Sequence, residues 1–263
     1  MHRLASAIRQ MPFLTLSRST QLAGRTIVVI ALTALALAGC GGSSSGTAGP
    51  TQTSTTATAP GATGKTLDSC AHEDATTKIV HFSGAELDGV VIGDGATGVV
   101  LAHQLHSNLC SWLPFAKRLA AAGMRVLAFD FPSTSNLDRY VVAAVAELRR
   151  QGAHSIALAG ASMGGTAVLV AASHASSISR VASLSGPRIF EDLDAGRAVP
   201  RVRVPTLFVA AREDSPYVDD ARAMYRAATT EKRLLVVPGS DHGTDLLDDE
   251  QVGNQLLAFL TGQ

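Results

Sequence analysis

A serine set between two glycines, Gly160-Ala161-Ser162-Met163-Gly164, is the segment of this 263-residue chain best suited to nucleophilic chemistry. It lies between two stretches of different character. His154 to Ala159 is a short, mostly apolar run that predicts a buried strand, and Met163 to Ala172, rich in Ala, Val and Leu, predicts a helix. G-x-S-x-G at a strand-to-helix turn is the pattern of a nucleophile elbow. So tight a turn leaves no room for side chains at the flanking positions, hence the glycines. It holds a hydroxyl clear of the sheet at a helix N-terminus, where the dipole favours developing negative charge. Spelling alone is insufficient: Gly42-Ser43-Ser44-Ser45-Gly46 fits the same expression. That match has no strand before it and no helix after it, and it reads as flexible linker. The plain alternative for Ser162 is a helix-capping serine; its surroundings favour the nucleophile.

A serine hydroxyl must lose its proton as it attacks, so it needs a base. Imidazole titrates near neutrality and suits that task, and a carboxylate can hold the ring in the useful tautomer. Two further loops carry such groups directly after apolar runs. Thr206-Leu207-Phe208-Val209-Ala210 leads through Ala211 into Arg212-Glu213-Asp214. Leu234-Leu235-Val236-Val237 leads into Pro238-Gly239-Ser240-Asp241-His242-Gly243. Asp214 and His242 are therefore the candidate acid and base. Glu213, Asp219, Asp220 and Asp241 compete for the acid role. Asp219 and Asp220 are better explained as acidic residues opening a helix. Asp241 adjoins His242, and adjacent side chains in extended chain point apart. Asp130 reads as a loop-ordering carboxylate. His103 and His106 are two histidines without nearby acidic ligands, a thin case for a metal. No metal or cofactor is expected.

The elements that must position these groups follow from periodicity. Lys78 to Phe82 and Gly89 to Ile92 are short β-branched runs that predict an antiparallel pair at a sheet edge. Gly98 to Ala102 is continuously apolar, as suits a strand covered on both faces. Trp112, Leu113, Phe115, Ala116 and Leu119 recur at helical spacing up to Gly123. Arg125 to Phe129 predicts the next strand, and Leu137 to Gln151 an amphipathic helix with Val141, Val145 and Leu148 on one face. After the elbow come strands at Val181 to Leu184, Thr206 to Ala210 and Leu234 to Val237. Helices are expected over Asp219 to Ala228 and around Val252, Leu256, Leu257 and Leu260. Such alternation predicts an α/β fold, a parallel sheet with helices on both faces and sites at the carboxyl ends of its strands.

The elbow, the acid loop and the histidine loop stand in the chain order Ser, acid, His. From about Thr77 to the C-terminus the chain resembles the α/β-hydrolase superfamily, in particular its small dienelactone-hydrolase-like and cutinase-like esterases. The resemblance implies a mostly parallel eight-stranded sheet without a large cap. It implies hydrolysis through Ser162, His242 and Asp214 and an acyl-enzyme. It also implies an oxyanion hole made by the backbone N–H of Met163 and a donor from the loop Leu101-Ala102-His103-Gln104-Leu105-His106-Ser107-Asn108. Gln104 departs from the family pattern, in which glycine is usual at that place. Leu105 is the expected backbone donor and Gln104 the next, with the Gln104 side chain a third option.

The segment from about Gly186 to Val204 corresponds to the place where relatives insert a lid. It is short and rich in charge (Arg188, Glu191, Asp192, Asp194, Arg197, Arg201, Arg203) and cannot make a cap domain. A shallow, open site is expected, lined by Leu105, Met163, Ile189 and Phe190. It would take an ester or thioester of modest size, or the exposed end of a larger lipid ester. A serine peptidase or amidase on the same scaffold, and a noncatalytic binding protein that kept it, are the competing classes.

Composition sets the frame. Formal net charge is zero and 17% of residues are charged, with no basic run that would suit nucleic acid. Residues 1–39 contain Arg3, Arg9, Arg18 and Arg25, and no acidic residue precedes Asp68. The apolar run Ile27 to Ala38 is about a dozen residues, short of the roughly 20 needed to span a bilayer. It suits a signal peptide, and Met11 is an alternative start. Leu37-Ala38-Gly39-Cys40 resembles the lipobox of bacterial lipoproteins, which implies lipidation of Cys40 and a membrane-anchored protein facing outside the cytoplasm. Residues 40–67, dominated by Gly, Ser, Thr, Ala and Pro, read as a disordered tether. Residues 68–263 form the expected folded domain. In an oxidising compartment Cys70 and Cys110 are a candidate disulfide, with free thiols as the alternative. Oligomeric state is not legible.

Overall fold

The structure, a computed structural model, describes residues 70–71, 76–82 and 87–263. The signal peptide over 1–39, Cys40 and the tether over 40–67 lie outside the described residues. In chain order the strands are β1 (Lys78–Phe82), β2 (Leu87–Ile92), β3 (Thr97–Ala102), β4 (Arg125–Phe129), β5 (Ser155–Ala161) and β6 (Ile178–Leu184). They continue with β7 (Ile189–Phe190), β8 (Leu193–Asp194), β9 (Thr206–Ala211) and β10 (Lys232–Val237). All but β7 and β8 join one eight-stranded sheet in the order β1-β2-β4-β3-β5-β6-β9-β10. β2 runs antiparallel to both β1 and β4, and every neighbouring pair from β4 to β10 is parallel.

Parallel neighbours require crossovers, and the helices supply them. They are α1 (Leu113–Ala121), α2 (Leu137–Arg150), α3 (Met163–Ala172), α4 (Ala195–Ala198), α5 (Tyr217–Ala227) and α6 (Glu250–Thr261). The period of two along each strand feeds two cores. Val100 and Ala102 of β3 face one of them with Leu148 of α2, Val168 of α3 and Met224 of α5. Val99 and Leu101 face the other, with Phe115 and Leu119 of α1 and Leu256 and Phe259 of α6. Each fully buried Leu, Val or Phe contributes about 1.5–3 kcal/mol. α3 is apolar on nearly every side and buried from Met163 to Leu169, as a helix over the middle of a covered sheet must be.

The strand order reverses beside β3: its successor β4 lies on one side and β5 on the other. This is a topological switch point, which opens a crevice at the carboxyl edge between the two strands. It sets the loop after β3 next to the turn after β5.

Several elements extend further than their apolar runs. β2 begins at Leu87, β6 at Ile178, β10 at Lys232 and α5 at Tyr217. The added residues include Arg180, Lys232 and Arg233, polar residues whose backbone pairs with the neighbouring strand, and Ser179, which the register passes over at a bulge. Between β6 and β9 the chain forms a hairpin, with Ile189 opposite Asp194, then α4 and a 3-10 turn at Val199–Arg201. No cap domain is built there. Cys70 and Cys110 are joined by a disulfide with Cα atoms 6.0 Å apart, tying the first described residues to the 3-10 turn Leu109–Trp112 before α1. No helix among the described residues is long and apolar enough to cross a membrane.

Candidate active site

Ser162 is the single residue between β5 and α3, and its backbone has φ +46° and ψ −116°. A non-glycine residue in that region carries about 1–3 kcal/mol of strain and needs over-determined surroundings. They are present. Its N–H donates to the Leu184 carbonyl at 2.8 Å, and its carbonyl accepts from the Thr166 N–H at 3.1 Å. A Cβ at Gly160 would collide with the Gly164 carbonyl, and one at Gly164 would collide with the Ala102 carbonyl and come within 2.7 Å of the His103 carbonyl oxygen. The glycines let the turn fold on itself and press against the end of β3. Met163, the first residue of α3, is buried, and its N–H is one of the helix-start donors with no partner inside the helix.

Asp214 follows β9 and is 8% exposed. Its carboxylate accepts from His242 Nδ1, at 2.9 Å to Oδ2 and 3.2 Å to Oδ1. The proton therefore sits on Nδ1, and Nε2 is left as the basic nitrogen. A second donor reaches the same carboxylate: Ser185 Oγ, fully buried after β6, lies 2.7 Å from Oδ2. Tyr217 at the start of α5 packs against the imidazole, with ring centroids 4.3 Å apart. The competitors of Asp214 lie elsewhere. Glu213 and Asp241 are exposed, and Asp219 and Asp220 occupy the first turn of α5, where Asp220 accepts from the Arg188 N–H at 3.0 Å.

The loop after β3 closes the ring of contacts. Gln104 Oε1 accepts from the Thr244 N–H at 2.8 Å and from Thr244 Oγ1 at 3.0 Å, just past His242. That carbonyl oxygen thus faces the histidine loop. His103 is buried, with Nδ1 donating to the Gln104 carbonyl at 2.7 Å and Nε2 accepting from the Phe131 N–H at 3.0 Å. Both ring nitrogens are engaged in ordering the loop. Asp130 also orders it, accepting from the Leu109 N–H at 2.7 Å. His106 is exposed. Among the described residues no three His, Cys, Asp or Glu side chains converge as a metal cage would require. Leu105 and Ile189 are the exposed large apolar side chains of the described surface, on the β3 loop and the hairpin.

Ser162, Asp214 and His242 thus all stand at the carboxyl edge, after β5, β9 and β10. The structure joins Asp214 to His242 directly. Among the described residues no hydrogen bond joins the Ser162 hydroxyl to His242; such a contact commonly tightens only when substrate is bound. A concavity of about 690 Å³, lined by Lys78, Asp94, Arg125 and Gln151, lies at the amino ends of the strands, away from this edge. Ser185 and Tyr217 join the site without any motif that marks them in the sequence. The signal for Ser185 was available, since it directly follows a strand on the same edge as the other three.

No protein-family profile matches the chain, and no curated protein matches it. Solved structures do. The dienelactone hydrolase from Anabaena variabilis is 23% identical, with a TM-score of 0.57 over 71% of this chain and 98% of that one. An esterase of Pyrococcus furiosus is 17% identical, with a TM-score of 0.60 over 71% of this chain and 92% of that one. A monoacylglycerol lipase of Paleococcus ferrophilus is 15% identical, with a TM-score of 0.59 over 67% of this chain and 98% of that one. At these identities the likeness concerns the fold, and with the strand order and the strained serine turn it gives the conclusion that this chain has the α/β-hydrolase fold, in a form without a large cap.

Proposed function

We propose that the protein is a serine hydrolase of carboxylic esters or thioesters. The observation that carries this reading is the Asp214–His242 hydrogen bond on the same sheet edge as a strained, glycine-flanked serine. In the proposed reaction Ser162 Oγ attacks the ester carbonyl carbon while His242 Nε2 takes the hydroxyl proton. Asp214 holds Nδ1–H and stabilises the imidazolium. The tetrahedral oxyanion is met by the backbone N–H groups of Met163 and Leu105. The carbon–oxygen bond to the alcohol then breaks, and the alcohol leaves with the proton from His242. Water enters, gives its proton to the same nitrogen, and frees the acid and Ser162. Every proton is accounted for within this set.

The names of the structural neighbours support ester chemistry, since they include an esterase, a monoacylglycerol lipase and a dienelactone hydrolase. The short hairpin in place of a cap, and Leu105 and Ile189 on the exposed surface, favour acyl groups of modest size or the protruding end of a larger lipid. We further place the protein at the outer face of a bacterial membrane through lipid on Cys40. Lipid labelling that persists in Cys40→Ser would refute that anchor.

The test is hydrolysis of a short-chain nitrophenyl ester. Ser162→Ala and His242→Ala should each reduce the rate by about a million-fold, and a fluorophosphonate should label Ser162. A Ser162→Ala protein that keeps its rate would end the proposal. A parallel panel of peptides and amides separates an esterase from an amidase.

A further inference from the structure

The geometry points to Gln104 as a positioning residue: its side-chain oxygen latches the loop carrying His242 onto the loop expected to supply the second oxyanion donor. This inference rests on the roles proposed above for His242 and Leu105. Gln104 Oε1 takes two hydrogen bonds from Thr244, one from the backbone and one from the hydroxyl. Thr244 is two residues beyond His242, and Leu105 is next to Gln104. One oxygen atom therefore bridges the two loops whose relative placement decides whether base and oxyanion pocket meet the same carbonyl.

Gly243 is shaped to this contact. It has φ +63°, and a Cβ on it would collide with Gln104 Oε1 and sit 2.9 Å from Cδ. The side chain thus lies against bare backbone between His242 and Thr244. Asp214 grips the imidazole and Gln104 grips the backbone two residues on. Asp214 and the Tyr217 ring hold the imidazole, whereas Gln104 holds the backbone that carries it, and a shift of that backbone would move Nε2 relative to Ser162. A misplacement of about 1 Å can cost a hundredfold in rate. The same oxygen cannot donate to an oxyanion, so this role differs from that of an oxyanion donor.

Three variants of the full chain separate the cases. Gln104→Met keeps volume and removes the acceptor; Gln104→Glu keeps acceptor oxygens and removes the amide donors; Gln104→Ala removes both. Expected for Gln104→Met and Gln104→Ala is a fall in kcat of about 10- to 100-fold with KM within about twofold, and for Gln104→Glu a recovery to within about fivefold of the unchanged protein. Rates are referred to sites titrated with fluorophosphonate, so unfolded protein does not count. A readout independent of turnover is the His242 Nδ1 proton in NMR. Its exchange with solvent should speed up at least about tenfold in Gln104→Met and stay slow in Gln104→Glu. Full kcat with slow exchange in Gln104→Met would overturn the latch. So would a Gln104→Glu protein as impaired as Gln104→Ala, because the amide donor would then be the working group. If the unchanged protein hydrolyses no ester, the proposed function fails, while the exchange measurement still decides the latch.

Discussion

Ser185 Oγ lies 2.7 Å from Asp214 Oδ2 and donates to it, so a fully buried serine shares with His242 the carboxylate on which the histidine depends. Ser185 follows β6 with φ +49°, and its N–H donates to the Val209 carbonyl at 2.8 Å. It thereby carries the register of the sheet to the loop after β9. A hydrogen bond to a buried charged group is worth about 1.5–3 kcal/mol, and leaving such a group short of a partner costs a similar amount. Ser185→Ala is expected to lower stability by about 1–3 kcal/mol and to lower kcat with KM unchanged. Ser185→Gly removes the same hydroxyl but relieves the positive φ. It should lose less stability and as much kcat. Denaturant midpoints and ester kinetics measure the two effects separately; an unchanged kcat in both variants would show that Asp214 holds its place unaided.

The elbow glycines carry a second expectation, on stability. Gly164→Ala would drive a methyl into the Ala102 carbonyl and against the His103 carbonyl, both rigid backbone. Gly253→Ala in α6 would meet only the far end of the Arg118 side chain, which can swing aside. The first change should cost more than about 3 kcal/mol, in the range of severe overpacking. The second should fall within about 1 kcal/mol of neutral, since alanine's helix propensity offsets the displaced arginine. Urea titration ranks the pair, and equal costs would show that the turn has slack the backbone positions do not suggest.

These residues also show what the sequence could and could not disclose. The apolar runs were long and well separated, so strand and helix order was legible, and with it the common edge of Ser162, Asp214 and His242. The ends of β6 and β10 were not, because Arg180, Lys232 and Arg233 are polar side chains that settle through long-range contacts, Arg180 and Arg233 over the Phe259 ring and Lys232 over the Tyr225 ring. The Ser185–Asp214 and Gln104–Thr244 bonds join residues 29 and 140 positions apart. No local spacing encodes such pairs; they exist because the strand order brings those loops together. Gln104 is an oddity against the pattern the chain resembles, in which glycine is usual there, but which of its two amide atoms is used, and toward what, depends on Gly243 and Thr244.

The disulfide makes a third expectation. Cys70 and Cys110 are 40 residues apart, and closing a loop of that length restricts the unfolded chain by about 4 kcal/mol in the chain-entropy account. The double variant Cys70→Ser, Cys110→Ser should therefore lose up to about 4 kcal/mol. The bond lies on the α1 side of the sheet, in contact with the core that Trp112 and Phe115 fill, whereas Ser162 faces the carboxyl edge. Ester turnover by the folded fraction should be unaffected. Stability that is identical with and without reductant would mean that β1, β2 and the 3-10 turn hold the N-terminal residues without help.

Glu147 gives the pH dependence a definite sign. On α2 its carboxylate accepts from Arg150 Nε at 2.9 Å, Arg150 Nη2 at 2.6 Å and Gln151 Nε2 at 2.7 Å. The Arg150 hydrogen bonds, ahead of the opposing effect of burial, hold the carboxyl below the usual glutamate range. Between that lowered value and the unfolded value of about 4.3, the unfolded chain binds more protons than the folded one. Stability therefore rises with pH through this window. The contribution is fully present above the unfolded value and is lost as pH falls through the folded one. Glu147→Gln removes it at all pH values. The two proteins should differ most near neutrality and converge in acid, and unfolding curves measured from about pH 3 to pH 7 test this. Stabilities that run parallel across that range would mean that the carboxylate is no better held in the folded state than in the unfolded chain.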